Sequence, residues 1–441
     1  MDGSERSSIA MKFSIHTLGC KVNQYDGALL QDALERHGFR AVGPGEEADA
    51  VVVNTCTVTA GTDRQNRQLI RRLRKAHPRA LLVVTGCQAE AFPEVLKGMA
   101  EVDMVLGNQG KDDIPQIIVN TLDGKQNGAI GPPSAVPLWG KGVCGIPGHT
   151  RAFLKVQDGC DAQCAYCIVP RARGPSRSRP LSSIAAELRS MEEAGVKEVV
   201  ITGIHLGSYG KDLEPPSSLA SLLRQILEAC SIPRIRLSSV ESMELEEGLL
   251  HCMRDEARVC PHLHVPLQSG DDEVLRWMGR PYGGAQYMER AMLAKELIPD
   301  LTWGCDVMVG FPGETRAHFQ RTVRLLQGLP FTYLHVFPFS PRPGTRAWAM
   351  PNRVPASELK ARASALRDMS RARRAEVMAS YIGRISTVLV ERPFKGSSGW
   401  MEGLTPNYLK ALLPGGTEMH NRIVPVRLVA VQGVHLLADP L

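Results

Sequence analysis

The stretch AFLKVQDGCDAQCAYC, residues 152–167, is a short apolar run followed at once by three cysteines. The run 152–156 predicts a β-strand. Cys160, Cys164 and Cys167 follow it, spaced by three residues and then two. Three thiolates at that spacing can wrap one face of a 4Fe–4S cube and leave one iron without a protein ligand. The alternative is zinc, but structural zinc takes four ligands in two separated pairs, and no partner pair stands nearby. Beyond the cysteines, strand candidates recur at 198–202, 234–238, 262–265, 303–309 and 332–337. Helical stretches at 182–194, 219–229, 285–297 and 315–327 separate them. Six β/α units predict a barrel or partial barrel, with the cysteine loop at the C-terminal rim where such enzymes build their sites.

Upstream, residues 11–123 alternate in the same way. β-type runs lie at 13–18, 50–54, 80–85 and 104–106, and a helix around Leu29, Leu30, Ala33 and Leu34 stops near Gly38. The alternation predicts a Rossmann-like parallel sheet covered by helices. Cys20, Cys56 and Cys87 end the first three of these runs. The carboxyl ends of parallel strands share one edge, so the three thiols can converge there. A second cluster with an open iron explains three cysteines at one relative position better than three buried thiols do. Residues 124–150 are rich in Gly and Pro and predict a linker. A long basic helix is expected over 357–381. From 381 to the end the pattern is all β and predicts a small five-stranded barrel. The expected domains are therefore 11–123, a linker at 124–150, 151–380 and 381–441. Cys144, Cys230, Cys252, Cys260 and Cys305 show no ligand spacing and predict buried thiols.

The chain has 441 residues, which requires two or three domains, and 43% hydrophobic with 22% charged residues fits a globular protein. No apolar run approaches the about 18 residues that cross a bilayer. The first ten residues lack a secretory signal, so the expectation is a cytoplasmic protein. Eleven cysteines in a reducing compartment point to ligands or buried thiols, not disulfides. The net charge of +6 is mild. The basic residues cluster, however, at 64–75, 171–179 and 367–374, as a phosphate-tracking surface or a solvated helix face would have them.

The run 160–167, with Tyr166 beside the last cysteine, resembles the radical S-adenosylmethionine (SAM) signature. The resemblance extends along most of the chain. TLGCKVN (17–23), NTCTVT (54–59), TGC (85–87) and LGN (106–108) resemble the amino-terminal domain of the methylthiotransferases. Ile168-Val169-Pro170, Arg173-Gly174 and Arg177-Ser178-Arg179 continue the match, and GLTPNY (403–408) resembles a TRAM domain, an RNA-binding barrel. Gly19-Cys20-Lys21-Val22-Asn23, HLHVPLQSG (262–270) and HVFPFS (335–340) are similar to the branch acting on threonylcarbamoyladenosine at tRNA position 37. Arg171 departs from the aromatic residue usual there, and the ten-residue leader has no counterpart.

That resemblance implies conversion of the modified adenosine to its 2-methylthio derivative. The target C2–H bond is strong and not acidic, so cofactors must carry the chemistry, with no catalytic side chain. It implies two 4Fe–4S clusters, on Cys160, Cys164 and Cys167 and on Cys20, Cys56 and Cys87. Two SAM molecules serve each turnover, one as radical source and one as methyl donor. By the same resemblance SAM would lie near Tyr166, Gly203, Tyr209, Ser239, Glu241, Gln268, Ser269, Asp306 and Gly310. The tRNA anticodon loop would meet Arg173, Arg177 and Arg179, and the barrel would use Tyr408 and Lys410. The implied partners are this tRNA, an electron donor and a sulfur donor, with the protein a monomer and no membrane involved. Two alternatives stand beside this. One is methylthiolation of isopentenyladenosine or of a ribosomal aspartate. The other is an RNA-binding protein whose clusters are structural or redox-sensing.

Overall fold

Ala50–Thr55, AVVVNT, is buried along its whole length, as a central parallel strand with both faces covered must be. In the computed structural model, which describes residues 11–43, 45–124, 139 and 150–441, it is β3 of a parallel sheet. The sheet also contains β1 (Lys12–Thr17), β2 (Arg40–Ala41), β4 (Leu81–Gly86) and β5 (Met104–Val105), in the order β2-β1-β3-β4-β5. Its helices include Lys21–Arg36 and Ala60–Ala76. The first ends at His37, with Gly38 at φ +85° behind it. The Thr59 side chain caps the second by accepting from the Thr62 N–H at 3.1 Å. The first ten residues, and nearly all of the 124–150 stretch with Cys144, lie outside the described residues.

The chain divides into two compact units. The first holds the parallel sheet and, with it, Ile168–Pro175. The linear partition assigns that segment to the following domain. Its apolar residues decide otherwise: Ile168 and Ala172 are buried with Cys87 and Ala91, flanked by Phe92.

The second unit begins with β6 (Arg151–Lys155) and a short hairpin of β7 (Gln157–Asp158) and β8 (Arg177–Ser178). β9 (Glu198–Thr202), β10 (Arg234–Leu237), β11 (His262–His264), β12 (Thr302–Val309) and β13 (Tyr333–Pro338) follow. β6, β9 and β10 form one parallel sheet and β11, β12 and β13 another. Isolated parallel bridges, Ile235↔Val259 and Ser239↔His264, join the two. The six strands thus form a partial barrel with a weakened seam. β11 has three residues and Pro261 before it offers no N–H, so no continuous ladder runs there. The core beneath contains Trp303, Ile201 and Leu263, all essentially inaccessible.

The helix Ala356–Ala379 links this core to the last module: Ala363 and Leu366 pack in the first, Met378 in the second. The last strands, β14 (Ile385–Pro393), β15 (Trp400–Leu404), β16 (Lys410–Pro414), β17 (Ile423–Gln432) and β18 (His435–Pro440), close into a barrel in the order β14-β15-β16-β18-β17. Gly403 is required at the β14/β15 contact, because a Cβ there would sit 2.3 Å from the Leu389 carbonyl oxygen.

Candidate functional site

In the first unit Cys20 precedes the helix Lys21–Arg36, Cys56 follows β3, and Cys87 opens the short helix after β4. β1, β3 and β4 are adjacent and parallel, so all three cysteines occupy one sheet edge. Glycine makes the approach possible. Gly19 has φ +106°, and a Cβ on it would lie 2.4 Å from Cys56 Cβ. Gly86, at φ +96°, would meet the Thr55 carbonyl at 2.3 Å. The thiols feel one another: burial first, then Cys87 and Cys20, push Cys56 up to about 12. Cys20 stands exposed at the rim of the same group. Three cysteines gathered at one sheet edge fit a bound cationic group, which deprotonates coordinating thiols outright. Buried asparagines fix the loops: Asn23 Nδ2 donates to the Thr55 carbonyl at 3.2 Å, and Asn66 Nδ2 to the Cys56 carbonyl at 2.6 Å.

In the second unit the loop 159–167 is anchored from outside. The Ala165 N–H donates to the Met278 carbonyl and the Ala347 N–H to the Ala165 carbonyl, both at 2.8 Å. Its sulfurs already face donors. Cys160 Sγ accepts from the Ala162 N–H at 3.4 Å and lies 3.5 Å from His205 Nδ1. Cys164 Sγ accepts from Arg280 Nη1 at 3.3 Å. Burial alone would lower the His205 pKa, but its hydrogen bonds to Cys160 and to Glu244 push it up to about 10. A loop that carries three cysteines and offers two of them, Cys160 and Cys164, to such donors suits an iron–sulfur cluster.

The residues expected near SAM divide into groups. Tyr166 packs beside Val274, Met278 and Phe311 at the loop. Glu241 is ion-paired with the same Arg280 that reaches Cys164. Gly203 lies tight against Gln157, whose Oε1 would stand 2.8 Å from an added Cβ. Ser239 is exposed beside the β10–β11 bridge. Gln268 is held at φ +65°, uncommon for a residue with a side chain, by its backbone bonds to Asp306 and Met308. Asp306 lies between His264 (2.8 Å) and His335 (3.3 Å). Burial would raise its carboxyl, but the histidines hold it far below the usual range.

Other expected contacts are engaged elsewhere. Tyr209 is a core residue whose hydroxyl donates to the Arg179 carbonyl at 2.9 Å. Ser269 is buried and accepts from the Asp271 N–H ahead of the helix Asp272–Met278. The Gly310 N–H donates to Glu314, and glycine is needed there because a Cβ would collide with Leu359. Arg179 is fully buried on Glu187, and Arg173 is buried on Asp26 and Asn23. Both guanidinium groups are buried in ion pairs, where the sequence had them facing the anticodon loop. Arg177 remains half-buried on the hairpin.

Tyr408 and Lys410 line a cavity of about 350 Å³ between the closed barrel and the starts of β6, β12 and β13, opposite the cysteine loop. There Tyr408 stacks on His262 at 4.4 Å beneath Arg236, and Lys410 pairs with Glu402 at 3.0 Å. Arg280, His205, Lys111 and Asp26 escaped the sequence reading. Only His205 carried a signal, two residues after the strand-end Gly203.

Residues 154–326 match the Radical SAM superfamily, and residues 12–107 match a family described as Uncharacterized protein family UPF0004. The threonylcarbamoyladenosine tRNA methylthiotransferase MtaB of Thermotoga maritima is 37% identical over 421 residues, 95% of each chain. This chain belongs to that radical SAM methylthiotransferase family. A tRNA-2-methylthio-N(6)-dimethylallyladenosine synthase from Syntrophobacter fumaroxidans is 33% identical over 94% of this chain and 92% of its own. In fold, the family member resembles the radical SAM methyltransferase TsrM of Kitasatospora setae, with TM-score 0.55, 17% identity and 77% of each chain covered.

Proposed function

We propose that this methylthiotransferase converts threonylcarbamoyladenosine at tRNA position 37 to its 2-methylthio derivative. The observation that carries this is the pair of three-cysteine sets, one at a sheet edge and one on a barrel-rim loop. The full-length similarity to the Thermotoga enzyme supports it. Cys160, Cys164 and Cys167 would hold the cluster that binds SAM, and Cys20, Cys56 and Cys87 a second cluster. When bound, these groups supply reductive SAM cleavage and sulfur for insertion at a carbon that acid–base chemistry cannot activate.

The protein's own residues hold these groups and shape their surroundings. Arg280 ties Glu241 to the cysteine loop, which places a carboxylate where sugar hydroxyls can donate to it. The Ala162 N–H donates to the Cys160 sulfur and His205 Nδ1 lies beside it, which orients that sulfur. Tyr166 and its apolar neighbours exclude water from one side of the loop. The closed five-stranded barrel acts as the TRAM-type grip on the tRNA, and Arg177 is the basic contact left near the cysteine loop. The working protein is a cytoplasmic monomer supplied by an external electron donor and a sulfur donor. No helix among the described residues is long and apolar enough to cross a membrane.

Mass spectrometry of tRNA nucleosides from a deletion strain tests the substrate. Loss of the methylthio group from threonylcarbamoyladenosine is expected. Its persistence, with loss from the isopentenyl nucleoside instead, moves the protein to the branch of the Syntrophobacter relative. Anaerobic reconstitution should give about eight irons per chain, four for each cube.

A further inference from the structure

Beneath the cysteine edge of the first unit lies a buried charge group that the chemistry above does not use. Lys111 Nζ and Arg173 Nη2 each lie 3.0 Å from the same oxygen, Oδ2 of Asp26, and all three side chains are about 2% exposed. Arg173 Nη2 also donates to Asn23 Oδ1 at 3.2 Å. Asp26 and Asn23 come from the helix that Cys20 begins. Arg173 comes from the segment that packs on Cys87, and Lys111 from the turn before the helix Ile114–Leu122. Two buried cations on one carboxylate are an unusual expense for a fold, because isolated buried charge is strongly penalised. A purely structural bridge would need one cation. The group is tied to the cysteine loops by geometry: Asn23, which accepts from Arg173, also donates to the Thr55 carbonyl directly before Cys56 at 3.2 Å.

A 4Fe–4S group on three thiolates is anionic, and an added sulfide or thiolate at its open iron makes it more so. A net positive charge beside it compensates that burial. We propose that Lys111 and Arg173, sharing Asp26 as counter-ion, are positioning residues that set the charge environment of the group held by Cys20, Cys56 and Cys87, and so raise its reduction potential and favour an anionic sulfur ligand on it. This rests on the assignment of a second cluster to those three cysteines.

The test is potentiometric EPR on the full-length reconstituted protein. Adding SAM identifies the cluster that binds it, and the signal insensitive to SAM is the one of interest. A buried unit charge acting over about 10 Å at an effective permittivity of about 20 changes a one-electron equilibrium roughly tenfold, ~59 mV. Lys111→Met should lower the potential of the SAM-insensitive cluster by about that factor, and Asp26→Asn should raise it. Lys111→Arg should restore it. The double variant Lys111→Met/Asp26→Asn leaves Arg173 as the single net positive charge and should return to near the wild-type potential.

A structural role predicts instead that the double variant is the most damaged. Shifts of one sign in both single variants, or none, overturn the proposal. Should either single variant lose its iron, the double variant and Lys111→Arg still decide. A wild-type protein with about four irons and no SAM-insensitive signal removes the second cluster, and the proposal with it.

Discussion

Glu198→Gln is the perturbation whose cost follows most directly from the structure. The Glu198 carboxylate is completely buried at the start of β9. Arg236 meets it with two bonds, Nε to Oε1 at 2.7 Å and Nη2 to Oε2 at 3.0 Å. Arg234 stands 3.7 Å away and Arg151 4.0 Å. The same arginines reach into the closed barrel: Arg234 donates to the carbonyls of Leu404 and Thr387, and Arg236 to that of Pro406. One carboxylate therefore neutralises the guanidinium groups that dock the barrel on the strands. Glutamine keeps the volume and removes the charge.

Breaking such a buried pair from one side costs about 3–5 kcal/mol, because the remaining cations stay buried without compensation. At roughly 2 °C per kcal/mol for a unit of this size, the melting temperature should fall by about 6–10 °C. Calorimetry read beside tryptophan fluorescence measures it, since Trp303 lies in the core of this unit. The acid limb adds a check of sign. Burial alone would raise the Glu198 carboxyl, but Arg236, Arg151 and Arg234 hold it below its ordinary value. A depressed folded-state pKa gives stability that is full above the unfolded carboxyl range and is lost as pH falls through the folded value. The gap between wild type and E198Q should therefore close on acidification. A loss below about 1 kcal/mol at neutral pH, the range of an exposed pair, would refute the reasoning.

Two further outcomes are expected. Arg280→Gln removes the donor to Cys164 and the partner of Glu241. Hydrogen bonds to charged groups are worth about 1.5–3 kcal/mol, so 5′-deoxyadenosine formation should fall about 10- to 150-fold while iron content stays at the wild-type value. Gly19→Ala puts a Cβ 2.4 Å from that of Cys56 in a left-handed backbone. It should cut iron by about half, one cube of two, and leave SAM cleavage at the Cys160 loop intact. An unchanged iron content would show that the first unit's cysteines do not bind iron.

The two cysteine sets could be found in the chain because ligand spacing and strand-end position are local properties. Cys160, Cys164 and Cys167 lie within one loop, and Cys20, Cys56 and Cys87 each follow an apolar run. The β/α alternation determined the parallel sheet and the partial barrel for the same reason: burial pattern has a short period. What a charged side chain meets is not local. Arg173, Arg177 and Arg179 look alike in sequence, yet Arg173 is buried on Asp26, Arg179 on Glu187, and Arg177 stays half-exposed.

Tyr408 could not be separated in sequence from an RNA-stacking aromatic, but His262, 146 positions earlier in the chain, supplies its stacking partner. Lys111 carried no signal, since its counter-ion comes from another helix 85 positions away. The sequence by itself determined element types, the parallel sheet implied by β/α alternation, and the candidate ligands. Only the tertiary structure decided which cations are buried, because ion pairing and desolvation depend on contacts between residues far apart in the chain.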